Sequence, residues 1–370
     1  MDLLVARGVR LWATRGLLCA RRVDANQRLL AWFSRDRATR NQMLSSQRRP
    51  RRGIVREPGL RMLGGPRSGS GGLEMKLANI MVSGVPALAV QHGADLVRVP
   101  TDYEGSGHPV ASLEDVLHRH PVGSGWEAFA GGLARDAHGF SVAAPGTLAW
   151  RPIVERPQKI ICVGLNYGAH VAETKSHVSE QPVLFSKFTN ALAAAEQDIP
   201  IPAAAECLDY EAELVILMGK PCHQVAVSAA LSHVLGYTTG NDVSARDLQH
   251  RSSQWLIGKS LDAFAPVGPF CTTADEVGDP QRLRISLTRN GETCQEANTS
   301  GMIFSCAEIV AYCSTLFTLL PGDIIFTGTP NGVIGGMPPE EQRWLAPGDQ
   351  VAVTIETLGT LTNRFTASAQ

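Results

Sequence analysis

The chain has 370 residues, 44% hydrophobic and 19% charged, a globular composition with ample core and room for two domains. Its formal net charge of −1 hides a segregation: Met1 to Arg67 holds 16 Arg, no Lys and four acids, leaving 18 basic and 31 acidic residues for the rest. An acidic body without a basic stripe speaks against nucleic-acid binding there, and eight cysteines without a CxxC pair speak against a zinc site or a disulfide framework.

The head, residues 1–72, is Arg-rich, Lys-free and acid-poor, and it ends in a Gly/Ser stretch from Gly64 to Gly72. This composition predicts a mitochondrial transit segment, with a cytoplasmic location as the alternative. Its amphipathicity is imperfect, because Arg15 and Arg22 share a helical side with Leu4, Leu11 and Leu18. A disordered basic arm for nucleic acid or acidic lipid, or a start codon upstream of the real protein, fits the same composition. No stretch reaches the length of a transmembrane helix, so no membrane span is expected.

Residues 73–150 read as a small N-terminal domain. Ala78–Val82 and Ala87–Val90 have the character of short strands, and Ser112 precedes Leu113–Leu117 as a helix N-cap. His118 and His120 read as surface residues at the end of that helix. From Arg151 the character changes. Ile160–Leu165 is a buried-type strand, and if the following Asn166–Glu173 begins a helix, His170 and Glu173 share a face, three residues apart. A carboxylate there can orient the imidazole and favour its protonated form, although an ordinary surface pair has the same spacing.

The densest signal lies in Leu208–Leu217. In a strand, Glu211 and Glu213 point to one side, about 7 Å apart along the chain. Alternating acids also decorate the solvated face of a half-buried sheet, but this pair enters the unbroken apolar run Val215–Met218, which a strand covered on both faces requires. With Asp242 in Gly240–Asp247 as a third carboxylate, the oxygen-only set suits a hard cation, Mg²⁺, Mn²⁺ or Ca²⁺.

Further on, Leu283–Arg289 runs into Asn290-Gly291 and Glu292–Ala297, a hairpin with a type I′ turn. Leu320-Pro-Gly-Asp323 and Ala346-Pro-Gly-Asp349 each precede a β-rich run, and helical patterns fall near Ala226–Val234 and Cys306–Phe317. The body, residues 151–370, is therefore expected to be α+β, mixed, with a predominantly β core and flanking helices.

Four segments then occur in order: LDYEAEL from Leu208, GYTTGNDVSARDLQ from Gly236, QWLIGKSLDAFAPVGP from Gln254 and GDIIFTGTPNGV from Gly322. Together they resemble the fumarylacetoacetate hydrolase superfamily, continuously from about Arg151 to Phe365; the head lies outside the resemblance, and residues 73–150 match weakly. The resemblance implies a mixed β-roll with flanking helices, a homodimer, and Glu211, Glu213 and Asp242 as ligands of Mg²⁺ or Mn²⁺. It implies that His170 and Glu173 form a dyad on a short lid helix. It also implies that Lys187, Arg246, Gln249 and Lys259 contact substrate or organise the site, and that Thr329 holds a substrate carboxylate.

Such a site suits a small 2-oxo acid that chelates the metal and passes through an enolate, with Lys187, Arg246 and Lys259 supplying positive charge and His170 moving a proton. Keto-enol tautomerisation of oxaloacetate is the first expectation. C–C hydrolysis of an acylpyruvate or fumarylacetoacetate type and oxaloacetate decarboxylation are the alternatives, and metal-dependent dicarboxylate binding without turnover is the non-enzyme one.

Overall fold

Strands rather than helices carry the architecture of the computed structural model, which describes residues 74–105, 107–143 and 148–368. The basic head lies outside the described residues. In chain order the strands are β1 (Lys76–Val82), β2 (Val85–His92), β3 (Asp95–Arg98), β4 (Ser141–Val142), β5 (Leu148–Trp150), β6 (Ile160–Gly164), β7 (Val183–Lys187), β8 (Leu192–Ala193) and β9 (Asp198–Ile201). They continue with β10 (Leu208–Asp209), β11 (Ala212–Met218), β12 (Val234–Asn241), β13 (Ser244–Ala245), β14 (Ala265–Thr273), β15 (Arg284–Arg289), β16 (Glu292–Asn298), β17 (Ile324–Phe326), β18 (Gln350–Ile355) and β19 (Gly359–Ala367).

A twelve-stranded sheet runs in the order β4-β3-β2-β1-β14-β12-β11-β17-β6-β7, with β5 on β1 and β8 on β14. A five-stranded sheet, β16-β15-β18-β19-β9, packs on it through contacts of β15, β18 and β19 with β11, β12 and β14. Most pairs are antiparallel, while β17–β6, β14–β8 and β19–β9 are parallel, so the sheets are mixed as expected. The segment read as a small N-terminal unit is continuous with the body: Lys76 and Leu77 of β1 pair with Thr272 and Cys271 of β14.

The centre of the large sheet follows from composition. Every residue of β11 and β12 is buried, and the Leu214–Met218 run is covered on both faces. At about 1.5–3 kcal/mol for each large apolar side chain, those five residues contribute on the order of 10 kcal/mol before entropy is counted. The β15–β16 hairpin turns on Asn290 and Gly291 at φ 54° and 86°, the positive values a type I′ turn requires. Ser112 caps the helix Leu113–Arg119 by accepting the Asp115 N–H at 3.1 Å. A full capping box, Ser305 with Glu308, starts the helix Cys306–Leu316. The pattern near Ala226 resolves into a helix Val227–Ala230 and a 3₁₀ turn Leu231–His233. The seven described cysteines are free thiols; Cys19 lies outside the described residues.

Candidate active site

Strand register brings the three acids together. In β11–β12, Ala212 pairs with Asn241, so Glu211 and Asp242 stand just beyond the paired ends of adjacent strands. Asp242 donates its N–H to Glu211 O and Glu211 donates its own to Asn241 Oδ1, both at 2.9 Å, which locks the junction. Glu211 itself precedes β11 rather than lying in it, because the chain before it, β10, pairs with β13. The single-strand premise of the alternation argument therefore does not hold for Glu211, yet oxygen atoms of Glu211, Glu213 and Asp242 lie within 4.8 Å of one another, and all three side chains are buried.

Three cations surround this triad. Lys259, on the helix Leu256–Lys259, donates to Glu211 Oε2 and Asp242 Oδ2, each at 2.9 Å. Lys187, at the end of β7, is paired with Asp242 Oδ1 and also donates to Val243 O at 3.0 Å. Arg246, on the helix Arg246–Gln249, bridges Asp209 Oδ2 at 2.9 Å and Glu211 Oε1 at 2.8 Å, and donates to Gln249 Oε1 at 3.0 Å. The two short helices approach closely because residue 258 is glycine; a Cβ there would lie 2.5 Å from Gln249 N. Lys259, Arg246 and Gln249 therefore converge as expected.

The electrostatics are uneven. Burial raises the Glu211 carboxyl, but Lys259, Arg246 and then His170 outweigh it and bring it down to about 2. Glu213 goes the other way: burial first, then the neighbouring Asp242 and Glu211 charges, push its carboxyl well above the usual range. Its carboxyl accepts the Gly328 N–H at Oε2, at 2.7 Å, and among the described residues no lysine or arginine forms an ion pair with it. Burial lowers the Lys187 ammonium, Asp242 opposing and Lys259 reinforcing. Burial also works against charged Lys259, but Asp242 and Glu211 more than compensate and raise it. Three buried carboxylates around one small space, one of them lacking a cationic contact, form a donor set that fits a hard divalent ion.

The helix Gly168–Glu173 carries His170, which is near enough to Glu211 for its charge to act on that carboxylate. His170 Nδ1 is 3.4 Å from Glu173 Oε2, a weak contact. The stronger bond of Glu173 is to the loop after β17: its Oε1 accepts the Gly332 N–H at 2.9 Å. That loop is held from three sides, since Gly328 binds Glu213 and the Ile334 and Gly335 N–H groups donate to the two oxygens of Asp209 at 2.9 and 2.8 Å. Gly328 has φ 98° and a Cβ there would fall 2.7 Å from Asn166 Cβ, so only glycine closes this corner.

Two positions were not singled out from the sequence. Asp209, fully buried, binds Arg246 and the 334–335 backbone, and its place inside LDYEAEL was the available signal. Gln295 of β16 accepts the Ala212 N–H at 2.9 Å and donates to Thr329 Oγ1 at 3.0 Å and Pro330 O at 2.9 Å, so it carries Thr329 next to β11. Nothing in Glu292–Asn298 separates Gln295 from its polar neighbours.

A sheet-dominant α+β fold with buried acids and bases gathered at one point defines a class of enzyme, and the chain's relatives say which. Residues 159–366 match the model described as fumarylacetoacetate (FAA) hydrolase, C-terminal, and the chain belongs to that family. It is 46% identical over 217 residues to the fumarylacetoacetate hydrolase domain-containing protein 2 homolog of Dictyostelium discoideum, covering 56% of this chain and 71% of that one. It is 41% identical over 213 residues to the mitochondrial oxaloacetate tautomerase FAHD2A of Bos taurus, covering 57% and 67% respectively. Among solved structures, maleylpyruvate hydrolase from Sphingobium sp. SYK-6, in complex with manganese(II) ion and pyruvate, is 28% identical at a TM-score of 0.65, covering 80% of this chain and all of that one. The resemblance stated from the four motifs and the fold expected from it are both borne out, and the chain is an enzyme of this superfamily.

Proposed function

We propose that the protein is a divalent-metal-dependent tautomerase that interconverts the enol and keto forms of oxaloacetate. The observation that carries the reading is the buried Glu211–Glu213–Asp242 triad, whose ligand oxygens lie within 4.8 Å of one another beside three cationic side chains. With Asp209 the cluster has four carboxylates against Lys187, Lys259 and Arg246, and a divalent ion turns that deficit into an excess of one positive charge, matched to an anionic substrate. Tautomerase naming among the relatives and the manganese and pyruvate of the structural neighbour support the same assignment.

Glu211, Glu213 and Asp242 would hold the ion, Mg²⁺ or Mn²⁺. When bound, it supplies a Lewis acid for the 2-oxo acid oxygens. Arg246, oriented by Asp209 and Gln249, and Lys259 supply fixed positive charge that needs no reorganisation as charge develops. Lys187, buried and bonded to Val243 O, holds Asp242 in place. Thr329, positioned by Gln295, receives the distal carboxylate. His170 then acts as the shuttle: its imidazolium gives a proton to the substrate carbon, and the proton leaving the enol hydroxyl restores it, so no atom is gained or lost overall. Glu173 ties the helix that carries His170 to the loop through the Gly332 N–H.

The hydrolase in the neighbouring structure favours C–C hydrolysis of an acylpyruvate as the second reading. Purified protein with Mg²⁺ or Mn²⁺, followed by ultraviolet absorbance on enol-oxaloacetate, acetylpyruvate and fumarylacetoacetate in parallel, separates the two. Fast metal-dependent decay of the oxaloacetate enol alone is the expected result; cleavage of the diketo acids without enol decay replaces the first reading by the second. A homodimer and a mitochondrial address for residues 1–72 belong to the same proposal, the latter consistent with the naming of the relatives. Light scattering and the mass of the mature N-terminus test them.

A further inference from the structure

β7 alternates, so Phe185 and Lys187 lie on one face of it. Lys187 reaches Asp242, while the Phe185 ring lies under the other lysine of the site: Lys259 Nζ is 5.2 Å from the ring centroid. Trp255 packs edge-on against Phe185, with centroids 5.3 Å apart and planes at 69°. Trp255 is also the N-cap of the helix that ends in Lys259, four residues on, so the indole and the ammonium project along one side. The indole has a built seat. Gly164 closes β6 six residues before His170, and a Cβ at that position would come within 2.5 Å of Trp255 Cζ3.

Both rings are half-buried, whereas Lys187, Lys259 and the triad they flank are buried. Two packed aromatic rings beside a buried charged cluster have nothing to offer the carboxylate or enolate end of a substrate. What they can meet is the remainder of it. We propose that Phe185 and Trp255 form a rigid wall that sets the size of the 2-oxo acid, admitting a short substituent on the oxo carbon and excluding aryl or branched alkyl ones. This rests on the oxo-acid reading of the site above. An added methylene in an apolar pocket changes affinity by about 10–200-fold, and a ring pressed between a glycine backbone and a second ring cannot yield to a larger group.

The test is calorimetric binding of pyruvate and phenylpyruvate to the full chain with Mn²⁺, comparing the parent with Trp255→Ala and Trp255→Phe. The parent is expected to prefer pyruvate at least tenfold. Trp255→Ala is expected to cut that ratio at least tenfold by tightening phenylpyruvate, with pyruvate changed less than twofold, and Trp255→Phe to fall between. Thermal stabilisation by Mn²⁺ alone checks that each variant is folded with its acidic site intact. If the parent binds both acids and Trp255→Ala leaves the ratio unchanged, or lowers it only by weakening pyruvate, the wall is overturned while the oxo-acid reading stands. If the parent binds neither acid, both fall.

Discussion

Lys259 Nζ stands 2.9 Å from Glu211 Oε2 and 2.9 Å from Asp242 Oδ2, so one buried ammonium ties together two carboxylates delivered by different strands. An incoming divalent ion competes with that ammonium for the same pair of carboxylates. Lys259→Met leaves the carboxylates facing each other without it, which costs the metal-free fold on the order of 3–5 kcal/mol. The same change deepens the negative potential for a cation. Scanning fluorimetry is therefore expected to show a lower melting temperature without metal and a larger rise on adding Mg²⁺ than the parent shows. A smaller rise contradicts the competition.

His170 and Glu173 have separable duties because Glu173 bonds Gly332 more strongly than it bonds the imidazole. His170→Ala removes the shuttle and is expected to lower kcat on enol-oxaloacetate by about 10²–10⁴-fold, with the Mg²⁺-induced melting shift intact. Glu173→Gln keeps an acceptor for the Gly332 N–H but drops the carboxylate beside the imidazole. Its loss of kcat should be milder, with the melting temperature of the metal-free protein nearly unchanged because the Gly332 bond survives. A loss as large as that of His170→Ala would mean that the carboxylate itself takes part in the proton transfer.

The site was legible where chemistry is local. Glu211 and Glu213 declared themselves by acids entering an apolar run, and Asn290-Gly291 by its turn chemistry. What places Asp242 beside them is the pairing of Ala212 with Asn241, a relation between strands that periodicity does not encode. Continuity of β1 with β14 is set by two residue pairs nearly two hundred positions apart, so the N-terminal segment read as a separate unit. Phe185 and Trp255 look like any core aromatics in sequence, and only the ammonium over one ring and the glycine under the other mark them out. The four ordered motifs supplied what spacing could not: that distant segments belong to one site.

Glu213 gives the metal-free protein a distinctive pH response. Burial and the Asp242 and Glu211 charges raise its folded pKa above the unfolded value. Folding therefore takes up a proton at this carboxyl between the two values. The stability this provides is fully present below the unfolded pKa, near 4.3, and is lost as pH rises through the folded pKa, at up to about 1.4 kcal/mol per pH unit. Metal binding must expel that proton, so Mg²⁺ affinity should climb with pH over the same window and then level off. Calorimetry in two buffers of different ionisation enthalpy measures the release. Glu213→Gln should abolish both the proton release and the metal-induced stabilisation while making the metal-free fold more stable at neutral pH; retained release in that variant places the proton elsewhere.

Gln295 tests whether the second sheet supports the site as well as the fold. Its amide oxygen accepts from Ala212, at the start of the strand that carries Glu213, and its amide nitrogen donates to Thr329 Oγ1 and Pro330 O. Gln295→Leu fills the same space but leaves a buried N–H and a buried carbonyl without partners, each costing about 1–3 kcal/mol. Urea unfolding should register a total loss of roughly 2–6 kcal/mol. Because Thr329 also loses its tether, KM for oxaloacetate should rise more than kcat falls. Gln295→Glu separates the two effects: its carboxylate still accepts from Ala212 and can accept from the Thr329 hydroxyl, but a buried charge facing Pro330 O is costly, so it should restore part of KM without recovering stability. An unchanged KM in Gln295→Leu would mean that Thr329 owes its position to the loop backbone rather than to this side chain.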